Sequence, residues 1–153
     1  MLKIVVEKWR KNKKKLEDVF RTKTGWNSCT YLDLVKETVN IILNDESDKW
    51  DIKHITEIDN GDYQGTLLYL IPEKTYQPSE YEYLMTHVSY GSCSGCDTLL
   101  AAQEWGDGLL KERQIKEFMS MSLHLLENMI KPYNEGWRKN SDYEQAANNT
   151  WRF

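Results

Sequence analysis

Between Val88 and Leu100 the chain reads VSYGSCSGCDTLL, and no other stretch restricts the fold as much. An apolar, aromatic run of strand character ends in Gly91-Ser92-Cys93-Ser94-Gly95-Cys96-Asp97, and a helix-forming segment, Thr98 to Glu104, follows without a spacer. Glycine lacks the β-carbon that restricts backbone angles, so Gly91 and Gly95 allow a sharp turn that leaves several N–H groups pointing one way. The expectation is a strand, a tight polar loop and a helix N-terminus. Such a junction can hold an anion, position a thiol or cap a helix.

The segments on either side fix the rest of the order. In Lys3 to Arg21, Val5, Trp9, Leu16, Val19 and Phe20 fall near one helical face while basic residues take the other positions, an amphipathic helix with a weak middle. Thr30, with Asp33 three residues on, resembles a capping box for a second helix whose apolar face is Leu32, Val35, Val39 and Ile42. From Trp50 the near alternation of WDIKHITEID suits a strand. TLLYLI, Thr66 to Ile71, is apolar at nearly every position, as in a central strand covered on both faces, and Pro72 closes it. Tyr81 to Tyr90 reads as a third strand returning antiparallel to it. From Leu109 to Ile130, Ile115, Phe118, Met119, Ser122, Leu125, Leu126 and Met129 recur at three and four, a long helix stopped by Pro132. This order predicts an α+β fold: a three-stranded antiparallel meander with about four helices packed over one face.

Charge divides the chain. Residues 1–24 hold nine Lys/Arg against three Asp/Glu, and the remainder eleven against twenty-one. We therefore separate a basic amphipathic helix or arm (1–24), an α+β domain (25–132) and a C-terminal tail (133–153) that carries Tyr133, Trp137, Tyr143, Trp151 and Phe153. Polar tails that stay unstructured are poor in aromatics, so parts of this one are expected to dock on the body or on a neighbour. Lys8, Arg10, Lys11, Lys13, Lys14 and Lys15 would be the contacts of a nucleic-acid reading; the same charges can equally pair with the acidic body or a second copy. No apolar run approaches the about 20 residues that span a bilayer, and the apolar patch precedes the basic residues, the reverse of a signal peptide. A cytoplasmic protein with no membrane partner is expected. Three cysteines in such a chain are expected to be reduced.

Cys93-x-x-Cys96 before a helix matches the layout of thiol–disulfide oxidoreductases, where the helix end lowers a thiol pKa. Against a thioredoxin-like fold, none of the three prolines is placed to face the thiols. Gly91 to Gly95 also matches a G-x-S-x-G elbow with cysteine for serine, but the only later histidine, His124, lies between Leu123 and Leu125, as a core or partner-facing residue would. A zinc site would need Cys93 and Cys96 completed by His87, His54 or Cys29, and only one paired half-site is present. The simplest reading has Ser92, Ser94, Asp97 and Thr98 satisfying helix N–H groups while the cysteines pack inward. Should those oxygens move aside, the same N–H cluster suits a phosphate or carboxylate. Asp59 to Gly65 forms a second polar element, in which Asp62, Tyr63 and Gln64 offer an acceptor, an amphipathic ring and an amide; a turn leading into the central strand accounts for it equally.

EIDNGDYQGTLLYLIP, PSEYEYL, YGSCSGCDTL and EFMSMSLHLLENM together resemble a group of small proteins encoded in phage and prophage genomes. The resemblance covers roughly residues 31 to 129; the basic first helix and the aromatic tail depart from it. It implies a phage-type accessory product, and a common task of such proteins is to bind and blunt a host enzyme or defence system. The resulting expectation is a non-enzymatic, cofactor-free protein of the host cytoplasm. It would occupy a host protein or sequester a small anionic ligand through Asp62, Tyr63, Gln64, Ser92, Ser94, Asp97 and Thr98. A homodimer through the apolar helix or the tail is a further expectation. The rival readings are a thiol enzyme working through Cys93 and Cys96, and nucleic-acid binding through the first helix.

Overall fold

A computed structural model describes residues 2–131. Seven elements carry the fold: α1 (Leu2–Thr22), α2 (Tyr31–Thr38), β1 (Thr56–Asp59), β2 (Gly65–Pro72), β3 (Tyr83–Tyr90), α3 (Thr98–Ala102) and α4 (Glu112–Glu127). The strands pair antiparallel in the order β1-β2-β3, so the fold is the α+β meander with four α-helices. Pro132 and the aromatic tail lie outside the described residues.

The helices form because their apolar positions repeat at three and four. Along α1, Val5, Asn12, Leu16 and Phe20 are buried and Trp9 is half-buried on the same stripe. Phe20 meets Trp26 and Phe118 of α4 edge-on, with ring centroids 4.9 and 5.4 Å apart. The weak middle of α1 is Asn12, which is fully buried. Its amide donates to the Ile42 carbonyl and to Asp45 Oδ2, while Lys8 Nζ donates to the Leu43 carbonyl and Asp45 Oδ1. These groups close the end of α2, which widens into a π-helical turn at Val39–Leu43 and so leaves its last carbonyls to be satisfied from outside. At its start Thr30 and Asp33 exchange side-chain and backbone hydrogen bonds, the capping box expected from the sequence. The buried face of α2 is turned toward Tyr31, Leu34 and Val35, leaving Leu32 half-buried.

Corrections fall at element ends. The first strand starts at Thr56 rather than Trp50: Asp51 accepts from the Lys53 N–H and opens a short 3-10 turn at Ile52–His54. Glu80–Glu82 is likewise a 3-10 turn, so β3 begins at Tyr83. The long helix is shorter than its apolar pattern and begins at Glu112, where Gln114 Oε1 accepts the Lys111 N–H. α3 ends at Ala102, two residues earlier than expected.

Tyr69 and Ile71 of β2 and Leu84 of β3 enter the helix-packed core, and buried Thr86 donates its hydroxyl to the Leu125 carbonyl of α4 at 2.7 Å. Leu68, on the opposite face by alternation, is buried outside that cluster.

Candidate functional site

β1 ends at Asp59, β2 begins at Gly65 and β3 ends at Tyr90, with Gly65 and Tyr90 paired. The two glycine-punctuated loops therefore leave the same end of the sheet. Asp59 joins them, because its Oδ1 accepts both the Gly61 N–H at 2.9 Å and the Tyr90 hydroxyl at 2.6 Å. That bond holds the Asp59 carboxyl below its ordinary range and raises the Tyr90 phenol to about 12. The glycines serve close approach rather than unusual dihedrals. A β-carbon on Gly61 would lie 2.1 Å from the Gln64 carbonyl oxygen, and one on Gly91 2.6 Å from the Cys96 carbonyl oxygen. Gly95 has ordinary dihedrals and ordinary space, so its expected turning role is not needed.

Of the residues expected to bind a ligand, Asp62, Tyr63, Gln64, Ser92, Ser94 and Thr98 are exposed. Asp97 is not. Its carboxylate is buried, accepting the Gly91 N–H at 2.9 Å, the Leu100 N–H at 3.0 Å and the Tyr31 hydroxyl at 2.7 Å. Tyr31 in turn accepts the Leu99 N–H at 3.0 Å, and burial first, then Asp97, raises its phenol pKa above the ordinary value. Two first-turn donors of α3, the Leu99 and Leu100 N–H groups, are thus taken by the protein's own phenol and carboxylate, and α3 has only five residues. Of the donors at the expected anion cradle, the Gly91, Leu99 and Leu100 N–H groups are occupied from within.

The cysteines depart from the inward-packing reading. Cys93 and Cys96 are exposed free thiols with Sγ atoms 2.9 Å apart. Cys29 sits elsewhere, half-buried beside Gln103 Nε2 at 3.7 Å, where burial pushes its thiol up to about 12. His54 bonds Asp51, and half-buried His87, its pKa lowered by desolvation, lines a hollow of about 340 Å³ with Thr98, Met121 and His124. Among the described residues, no three His, Cys, Asp or Glu side chains gather as a metal set. His124 is exposed and bonded to Glu127 rather than buried in the core, and the antiparallel sheet gives no nucleophile elbow its usual parallel support.

The basic helix is half spoken for. Lys8 and Lys11 pair with Asp45 and Glu46, Lys14 with Glu17 and Asp18, and Arg21 with Glu17 and Glu112. Arg10, Lys13 and Lys15 are exposed and make no ion pair among the described residues.

Sequence reasoning passed over Trp105. Its side chain is fully exposed beside exposed Leu100 and a groove of about 430 Å³ that Asn27, Ser28, Gln103 and Glu104 also line. The turn that presents it is pinned from beneath. Asn27 Oδ1 accepts the Glu104 N–H and buried Gln114 Nε2, Gln114 also donates to the Ala102 carbonyl, and Gln103 Nε2 donates to the carbonyls of Trp26 and Cys29. Gly106, at φ 108°, turns the chain immediately after. A tryptophan outside every helical stripe and followed by Gly-Asp-Gly was the available signal.

Comparison with family models, with curated proteins and with solved structures finds no match. Among the described residues no helix is long and apolar enough to cross a membrane.

Proposed function

We propose that the protein is a non-enzymatic binding module whose partner is another protein, engaged through Trp105 and the groove beside it. The observation that carries this reading is a large aromatic side chain held wholly in solvent by a hydrogen-bonded turn. Tryptophan is among the side chains that dominate binding energy at interfaces, and a pinned loop lowers the ordering cost of association. Exposed Leu100 extends the apolar surface, and Glu104, with Lys111 and Arg113 paired to it, supplies a charged rim. The likeness to phage and prophage proteins makes a host protein, such as a defence component, the expected partner. An anionic small ligand is the weaker reading because Tyr31 and Asp97 already take the Leu99 and Leu100 N–H groups.

The test is a photo-crosslinking residue placed at position 107, which lines the groove beside Trp105, in the host cell, with exposed Tyr76 as the control position. A discrete crosslinked partner is expected from 107 and not from 76. Trp105→Ala should then weaken affinity for that purified partner at least roughly tenfold while leaving the fold intact. Equal crosslinking at both positions, or unchanged affinity, would sink the reading.

A further inference from the structure

Residues 93–96 form a tight turn in which the Cys96 N–H donates to the Cys93 carbonyl at 3.0 Å. The Cys93 N–H donates to Cys96 Sγ at 3.2 Å, and the two sulfurs are in contact. Both thiols face solvent, so a small reagent reaches them without opening the protein. Gly91 makes the arrangement possible, since a β-carbon there would meet Cys96 Sγ at 2.5 Å.

We propose that Cys93 and Cys96 are a reversible dithiol–disulfide site whose co-reactant is a small-molecule disulfide of the glutathione class. Cys96 is the attacking sulfur. The Cys93 thiol first, and then the Cys93 N–H, stabilise its thiolate and hold its pKa below the ordinary value. The Cys96 thiolate attacks one sulfur of the small disulfide, forming a mixed disulfide and expelling one small thiolate, which takes up the proton Cys96 released. Cys93 loses its proton and attacks Cys96 Sγ, expelling the second small thiol. The two protein thiols lose two electrons and two protons to the small disulfide, and excess small thiol reverses both steps. This site is independent of the Trp105 reading: it needs no protein partner and no fold-wide change. Cys29 is a built-in control, because burial disfavours its thiolate.

The experiment incubates the full-length chain with oxidised glutathione, quenches with an alkylating reagent in denaturant, so that half-buried Cys29 is also open to it, and weighs the peptides. In the native chain Cys93 and Cys96 should escape alkylation, with the peptide lighter by two hydrogens and Cys29 alkylated; dithiothreitol should restore both thiols. Cys93→Ser should retain one glutathione on Cys96, having lost the resolving sulfur. Cys96→Ser should react at least roughly tenfold more slowly, because the Cys93 N–H is aimed at the sulfur of Cys96. Two glutathiones on the native chain, a stable adduct on Cys93, or thiols 93 and 96 alkylated as fully as Cys29 would overturn the proposal. The native-chain result decides the matter even where a variant folds poorly.

Discussion

Asp97 shows how one side chain can take up donors that its neighbours advertise. The run Gly91 to Thr98 offers glycines, hydroxyls and a helix start, and each of these alone fits an anion. What decides is the carboxylate, which reaches back to the Gly91 N–H and forward to the Leu100 N–H. Asp97 was legible as a cap. Its buried bond to Tyr31, sixty-six residues earlier, was not, because nothing local marks a tyrosine as the partner of a distant aspartate. Tyr31→Phe tests the network: it removes the donor to Asp97 and strands the Leu99 N–H, at a cost of about 1–3 kcal/mol in denaturant unfolding. A loss below about 0.5 kcal/mol would mean that water replaces the phenol.

At the scale of elements, a helix cap and the antiparallel order of the strands were legible, while side chains that bond the backbone in place of a strand or across thirty residues were not. The capping box of α2 lies within four residues and was plain in the sequence. β1 shortened because an aspartate side chain competes for backbone donors, which alternation of apolar residues does not register. Asn12 looked like a gap in an apolar stripe, and its purpose depends on the Ile42 carbonyl and the Asp45 carboxylate thirty and more residues on. The knot of Lys8, Asn12 and Asp45 carries a pH signature. Lys8 first, then Asn12, holds the Asp45 carboxyl far below its ordinary value. A depressed carboxyl pKa contributes stability above the unfolded value of about 3.9, lost as pH falls toward the folded one. Thermal midpoints should therefore drop as the pH is lowered from about 5 toward 2. Asp45→Asn should be less stable at neutral pH and should fall less steeply in acid; parallel curves for the two proteins would refute this.

For the molecule as a whole, the charge boundary at residue 24 does not mark a detachable arm. Leu16 and Phe20 belong to the same buried cluster as Val35, Ile71 and Phe118. Removing residues 1–24 should abolish cooperative unfolding rather than merely strip a basic surface, and a truncated chain with a sharp thermal transition would contradict this. A test of nucleic-acid binding accordingly belongs with substitutions at exposed Arg10, Lys13 and Lys15. The pairing of α1 with α4 also bears on synthesis. A ribosome releases the first helix long before the last one exists, so its greasy stripe must wait for Phe118 to emerge. Contacts between such distant parts of a chain form slowly and leave sticky surface uncovered meanwhile. The lysines crowding that helix then keep it dissolved until its mate arrives.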